Sequence, residues 1–347
     1  MEAKDVSRLE GTAREMVAPR KGILAADESY GTINKRFTAV GIEDSEDNRR
    51  AYREMLFTAD GVGNYLSGVI MFDETIRQKS SDGRPFAKVL EEQGVLPGIK
   101  VDQGAKDMAL SPGEKLTEGL DGLRERLAEY VDMGARFTKW RAVITIDDGI
   151  PTRRCIDANA HVLARYAALV QEAGMVPIVE PEVLIDGTHS IDDCYEATLA
   201  TLHSTFDEIH KQNVEPRGLI LKPNMVISGK DASNRADVDT VARYTLECLL
   251  RTVPAAVPGI AFLSGGQSDR EATAHLDSMN RQAAEMGGLP WEVTFSYARA
   301  LQDLPMRTWK GDDSNASEAQ RIFLHRAKMN SLAHAGEYDE NLEESAA

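Results

Sequence analysis

The most apolar stretches of this 347-residue chain carry charge. FTKWRAVI (137–144) holds Lys139 and Arg141, VPIVEPEV (176–183) holds Glu180 and Glu182, and LILKPNMV (219–226) holds Lys222. An unpaired charge in an apolar interior costs several kcal/mol, so such residues need partners or a task. In an extended strand residues two apart share a face, which groups Lys139 with Arg141 and Glu180 with Glu182. Other apolar runs also end in charged or hydroxyl residues: Asp27, Asp73, Lys100, Ser264, Ser296 and Arg299. For any one of them an ordinary strand-end charge lying along apolar surface is the commoner reading. Their recurrence in run after run argues for one shared pocket. Lys222 has the most specific chemistry. Burial favours the neutral form of an amine, and a second lysine nearby reinforces that. A neutral amine attacks a carbonyl to give an iminium. The iminium draws electrons, so a carbon–carbon bond beta to it breaks and leaves an enamine. That route needs no metal.

Two segments have anion-binding chemistry. Ser264-Gly265-Gly266-Gln267-Ser268 is a glycine-rich turn between an apolar run and a helical segment, where backbone N–H groups and a helix N-terminus suit a phosphate. Arg299 can add a bidentate contact. Ser29, Thr32 and Lys100 form a second candidate anion site. Two anion sites flanking one lysine imply a bisphosphorylated ketose. The net charge of -16 opposes nucleic-acid binding and requires basic residues to be concentrated wherever a phosphate docks. The seven histidines fall in helical or loop segments, and there is no HExxH or paired-cysteine motif. Neither a metal nor a cofactor is expected.

Eight short apolar runs must position these groups: 22–27, 68–73, 97–102, 137–144, 176–183, 219–226, 259–266 and 292–299. Between them, apolar residues three and four apart predict helices over 46–59, 122–134, 164–174, 192–213, 238–253 and 316–336. Strands alternating with helices predict an α/β chain closed as a (β/α)8 TIM barrel, with its site at the C-terminal mouth of the strands. An open doubly wound sheet is disfavoured because the first run leads into ADESYGT, not into a GxGxxG turn. The chain reads as one domain over 1–347, with an N-terminal helix over 1–20 and a short tail over 339–347. No run is long enough for a membrane span, and the polar N-terminus lacks a signal sequence. Cys155, Cys194 and Cys248 are odd in number and widely spaced, as expected of reduced core thiols in a cytoplasmic protein.

KGILAADES, DGRPF, GIKVD, KWRAV, VPIVEPE, LKPNMV, FLSGGQS and FSYARALQ, in collinear order from about residue 10 to about 338, resemble class I fructose-bisphosphate aldolases. The resemblance implies a metal-independent lyase of glycolysis and gluconeogenesis. It would cleave fructose 1,6-bisphosphate to dihydroxyacetone phosphate and glyceraldehyde 3-phosphate, as a homotetramer. By motif position, Lys222 is similar to the Schiff-base lysine, and Glu180 to the general acid/base of carbinolamine chemistry. Glu182 is similar to the hydrogen-bonded partner of Glu180 near Lys222. Lys139 is similar to a residue that assists the carbinolamine, with Arg141 in the same wall, and Asp27 to the group that handles the C4-hydroxyl proton. Ser264, Gly265, Gly266, Ala298 and Arg299 fall to the C1-phosphate side, and Ser29, Thr32 and Lys100 to the C6-phosphate side. The family often has glycine where Ala298 stands and serine where Thr32 stands; a backbone N–H and a hydroxyl survive those changes. Animal members end in a tail whose tyrosine reaches the site, and the segment after Tyr338 offers no matching tyrosine. The same residues would also accept fructose 1-phosphate or a sedoheptulose bisphosphate. A non-catalytic protein would have little use for Lys222, Glu180 and Lys139 inside strands.

Overall fold

The computed structural model describes residues 3–346; Met1, Glu2 and Ala347 lie outside the described residues. Ten strands form: β1 (Gly22–Ala26), β2 (Leu66–Met71), β3 (Leu96–Lys100), β4 (Ala105–Asp107), β5 (Lys115–Thr117), β6 (Phe137–Ile144), β7 (Val176–Val183), β8 (Ile220–Leu221), β9 (Gly259–Phe262) and β10 (Glu292–Tyr297). Eight of them close into a barrel in the order β1-β10-β9-β8-β7-β6-β3-β2, and every barrel pairing is parallel. The remaining two, β4 and β5, make an antiparallel hairpin on the rim. The helices are α1 (Ala3–Met16), α2 (Tyr30–Val40), α3 (Glu46–Phe57), α4 (Asp73–Arg77), α5 (Phe86–Glu92), α6 (Leu123–Asp132), α7 (Arg153–Glu172), α8 (Ile191–Lys211), α9 (Val238–Thr252), α10 (Asp269–Glu285), α11 (Arg299–Trp309) and α12 (Ala316–His334). The expected TIM barrel is therefore present, and the expected N-terminal helix runs over Ala3–Met16.

Two apolar cores result. The larger lies between the outward faces of the strands and the helices, with Trp140, Tyr166, Phe262 and Phe323 among its members. The smaller fills the barrel floor: Ile23, Ile70, Phe137, Val176, Ile178 and Ile220 cluster with Leu9, Ala13, Met16 and Val17. The N-terminal segment thus closes the bottom of the barrel. That arrangement explains the charges above it. Along four of the strands the inward positions begin apolar and end polar: Ile23 and Ala25 precede Asp27, Phe137 precedes Lys139, Ile178 precedes Glu180, and Ile220 precedes Lys222.

Of the eight expected runs, the one that differs most is 219–226, of which only Ile220–Leu221 is strand. Lys222 N still donates to Val179 O at 2.8 Å, but Pro223 has no N–H and the ladder stops there. Side chains then replace it. Asn224 Oδ1 accepts from Val183 N at 3.0 Å, and Thr245 Oγ1 accepts from Val226 N at 2.9 Å. Helix α7 begins eleven residues before the expected 164, because Thr152 caps it by accepting from Cys155 N at 3.2 Å. The buried polar Asn159 interrupts the apolar period there. Asp73 is not a strand-end site residue. It opens α4, accepting from Tyr130 Oη at 2.8 Å and pairing with Arg77 at 2.9 Å.

Phe137 packs against glycines on two neighbouring strands, and a Cβ added at Gly98 would lie 2.2 Å from its ring. Gly98→Ala is expected to cost about 1–3 kcal/mol through overpacking. The double variant Gly98→Ala/Phe137→Leu should recover part of that loss, read as the thermal unfolding midpoints of the two proteins.

Candidate active site

Inward strand ends meet around a cavity of about 650 Å³ at the C-terminal mouth of the barrel. Asp27, Ser29, Thr32, Lys100, Lys139, Arg141, Glu180, Glu182, Lys222, Ser264, Gly265, Ala298 and Arg299 all line it. Every site residue expected from the sequence is therefore brought together there except Gly266, which is next to Arg299 but not in the cavity lining. A second cavity, about 780 Å³, opens outside the mouth between the loops after β6 and β7 and helix α8. Its charged lining is all carboxylate, from Asp147, Asp148, Asp186, Asp193 and Glu196, so it does not fit a phosphorylated substrate.

Lys139, Glu180 and Lys222 are each at least 96% buried. Glu180 lies between the two lysines. Its Oε1 is 3.4 Å from Lys222 Nζ and its Oε2 is 3.3 Å from Lys139 Nζ. Oε2 makes no well-aligned hydrogen bond and is left as an open proton acceptor. Lys139 Nζ also lies 2.6 Å from Asp27 Oδ2. A continuous line Asp27–Lys139–Glu180–Lys222 results. Register helps to build it: β6 and β7 place Lys139 beside Ile178 and Arg141 beside Glu180.

Burial alone would raise the Asp27 carboxyl, but Lys139, Lys222 and Lys100 outweigh it and hold the group at about 2. Burial would likewise lower Lys139, yet the carboxylates of Asp27, Glu180 and Asp102 drive it well above the ordinary lysine range. Lys139 is thus a fixed cation neutralised by its own carboxylates, not a bare like charge facing Lys222. Glu182 also differs from expectation. It pairs with Arg141, and the carboxylate that meets Lys222 is Glu180.

The two anion-type walls face each other. On one, Gly265 and Gly266 take φ of 55° and 86°, which side-chain-bearing residues rarely adopt. A Cβ on Gly266 would come within 3.3 Å of Arg299 Nη2. The glycine therefore admits the guanidinium as well as the turn. Arg299 opens α11, with Ala298 at its N-cap. The turn is braced from behind: His275 Nδ1 lies 2.6 Å from Gln267 Oε1. Burial holds His275 down at about 4, so the imidazole is neutral. On the other wall Ser29 sits at the N-cap of α2 with no side-chain cap bond, its Oγ 3.2 Å from Thr32 Oγ1. Lys100 is not a free cation, because buried Asp102 pairs with it at 2.9 Å.

Asp102, Glu28, Lys35 and Arg36 line the cavity without having been expected. Asp102 was open to detection, two residues after Lys100 on the same extended face. Lys35 and Arg36 were not, because α2 has too weak an apolar period to be seen. Ser296 Oγ, flagged only as a strand-end hydroxyl, is buried without a hydrogen-bond partner and lines the cavity.

The sequence profile of class-I fructose-bisphosphate aldolase matches residues 8–347. The chain belongs to the class I fructose-bisphosphate aldolase family. A probable class 1 fructose-bisphosphate aldolase from Xanthomonas campestris is 56% identical over 334 residues, covering 96% of this chain and 99% of that one. The fructose-bisphosphate aldolase of Dictyostelium discoideum is 48% identical over 341 residues, covering 97% and 94%. A solved structure of the aldolase from Plasmodium falciparum superposes with a TM-score of 0.95 at 44% identity, covering 98% of this chain and 97% of that one. Membership makes the chain a lyase of the Schiff-base class, which works without a metal.

The low Asp27 value has a testable sign. A carboxyl lowered in the folded state stabilises it fully above the ordinary value of 3.8, and that contribution drains away as pH falls toward about 2. The stability difference between the wild type and Asp27→Asn should therefore be largest above pH ~4 and shrink toward pH ~2, measured by chemical denaturation at each pH.

Proposed function

We propose that this cavity reversibly cleaves fructose 1,6-bisphosphate to dihydroxyacetone phosphate and glyceraldehyde 3-phosphate, with Lys222 as the imine-forming residue. The observation that carries the reading is Glu180, buried between Lys139 and Lys222 with an oxygen toward each. Lys222 Nζ attacks the C2 carbonyl. Glu180 moves protons to and from the carbinolamine oxygen, and water leaves to give the iminium. Asp27, already ionised, takes the C4-hydroxyl proton as the C3–C4 bond breaks, and its electrons pass into the iminium to form the enamine. Lys139, between Asp27 and Glu180, holds both carboxylates and connects the base of the cleavage step to the acid/base of imine chemistry. The iminium itself is the electron sink, so no metal is required for the step.

The two phosphates fix the substrate across this line. Ser264, Gly265, Gly266, Ala298 and Arg299 take the C1 phosphate, and Ser29, Thr32 and Lys100 take the C6 phosphate. Arg141, paired with Glu182, forms the wall between them. Residues 1–347 act as one domain, and in the tail Glu343 pairs with Arg326 of α12. A cytoplasmic setting is supported by the names of two plant relatives, a cytosolic one from Arabidopsis thaliana and a cytoplasmic isozyme from Spinacia oleracea. No helix among the described residues is long and apolar enough to cross a membrane. A homotetramer is what the likeness to the aldolase family implies.

Incubation with dihydroxyacetone phosphate and borohydride should leave one reduced adduct, on Lys222, in peptide mass spectra, with EDTA having no effect on its yield. An adduct on another lysine, or cleavage with no adduct, would sink the assignment. The enamine proton is a separate matter. Tyr338 Oη donates to Glu343 Oε1 at 3.0 Å, Glu343 also pairs with Arg326, and Tyr338 does not line the cavity. Tyr338→Phe should therefore leave proton exchange on dihydroxyacetone phosphate within about twofold of wild type, whereas a tyrosine donor would make it fall by about 10²-fold or more.

A further inference from the structure

Behind Asp27 lies a buried polar network that the reaction itself does not use. Glu28 is its hub. It accepts from Arg53 Nη2 at 2.8 Å and Gln302 Nε2 at 3.0 Å, and pairs with Arg36. The same donors also reach the backbone. Gln302 Nε2 donates to Ala25 O at 2.6 Å, and Arg53 Nε donates to Ala26 O at 3.0 Å. Tyr52 Oη donates to Gln302 Oε1 at 2.9 Å and so fixes which way that amide faces. Tyr52 and Gln302 are fully buried, and Arg53 nearly so.

The consequence is geometric. Asp27 follows the last residue of β1 and has no ladder to hold it, yet the carbonyls of Ala25 and Ala26 before it and the side chain of Glu28 after it are all tied down. We infer that Gln302 and Arg53 are positioning residues that hold the Asp27 carboxylate against Lys139 and the C4 hydroxyl. This rests on Asp27 as the group that takes the C4-hydroxyl proton. An apolar core would fill the same space at lower desolvation cost, so the buried charges need such a task. Neither residue lines the cavity, so neither touches substrate.

The two half-reactions separate positioning from general support. Dihydroxyacetone phosphate has no C4, so its imine with Lys222 does not need Asp27; cleavage of fructose 1,6-bisphosphate does. Gln302→Leu should lower kcat for cleavage about 10- to 100-fold, the scale of a misplaced catalytic group, with KM and the borohydride-trapped adduct each within about twofold. Tyr52→Phe, which frees only the orientation of the amide, should give a smaller loss with the same split. It keeps the test open if Gln302→Leu does not fold. Cleavage and trapping falling together would mean a merely structural role, and an unchanged kcat in both variants would mean none; either overturns the inference. Asp27→Asn is run alongside. If it retains cleavage, the assignment of Asp27 fails, and if it loses cleavage while Gln302→Leu and Tyr52→Phe do not, only the positioning role fails.

Discussion

The structure depends on one shared carboxylate. Glu180 is buried against two lysines: Lys139, which also has Asp27 at 2.6 Å, and Lys222, for which Glu180 is the carboxylate in reach. Removing one partner from such a cluster leaves an uncompensated buried charge, which costs about 3–5 kcal/mol, whereas the intact cluster comes near to balance. The cluster therefore behaves as a unit. Asp27 is ionised because of Lys139, Lys139 is charged because of Asp27 and Glu180, and Lys222 faces a carboxylate already committed on its other side. That mutual dependence gives the site a fixed proton inventory before substrate arrives.

A cluster of this kind needs walls that do not move. The closed parallel barrel provides them, because each strand is bonded on both sides and there is no edge to fray. The floor is sealed by α1 packing into the apolar inward layer. The outer core between strands and helices is much the larger of the two. Stability is thus concentrated outside and beneath the site, and the mouth can hold polar groups that favour chemistry over packing. The bracing of Ala25, Ala26 and the Ser264–Gln267 turn by buried side chains applies the same logic to segments that leave the sheet.

Much of this was legible from charge inside apolar runs. Lys139 with Arg141, and Glu180 with Glu182, could be placed on shared faces because a strand repeats every two residues. Lys222, Asp27 and Arg299 could be placed at the mouth because a barrel has one functional end. Pairing was not legible. The register sets Arg141 beside Glu180, yet Arg141 pairs with Glu182 while Glu180 meets both lysines, a choice of side-chain direction that a single run does not encode. Asp102 could have been found, two residues after Lys100 in the run 97–102, but that it neutralises Lys100 shows only in the folded pairing. Lys35 and Arg36 come from α2, a short helix whose burial rests on Ile33 and Phe37 alone, too few to set a period.

The short β8 ties these points together. A longer strand would carry Lys222 into a ladder and then continue inward and outward in alternation. Instead Pro223 stops the ladder one residue after the lysine, with the Lys222 N–H still bound to Val179 O. The backbone of the imine-forming residue is thereby fixed by the sheet, while the chain beyond it is free to turn away. That turn would expose unpaired N–H and C=O groups in the interior, each a cost of about 1–3 kcal/mol. Asn224, Thr245 and Cys194 satisfy them from the side, and Met225 contacts Gln267 beneath the anion turn. The proline in the middle of an apolar run, which argues against a full central strand, is therefore what sets the lysine at the last rigid position of the barrel and links it to the wall that holds the phosphate.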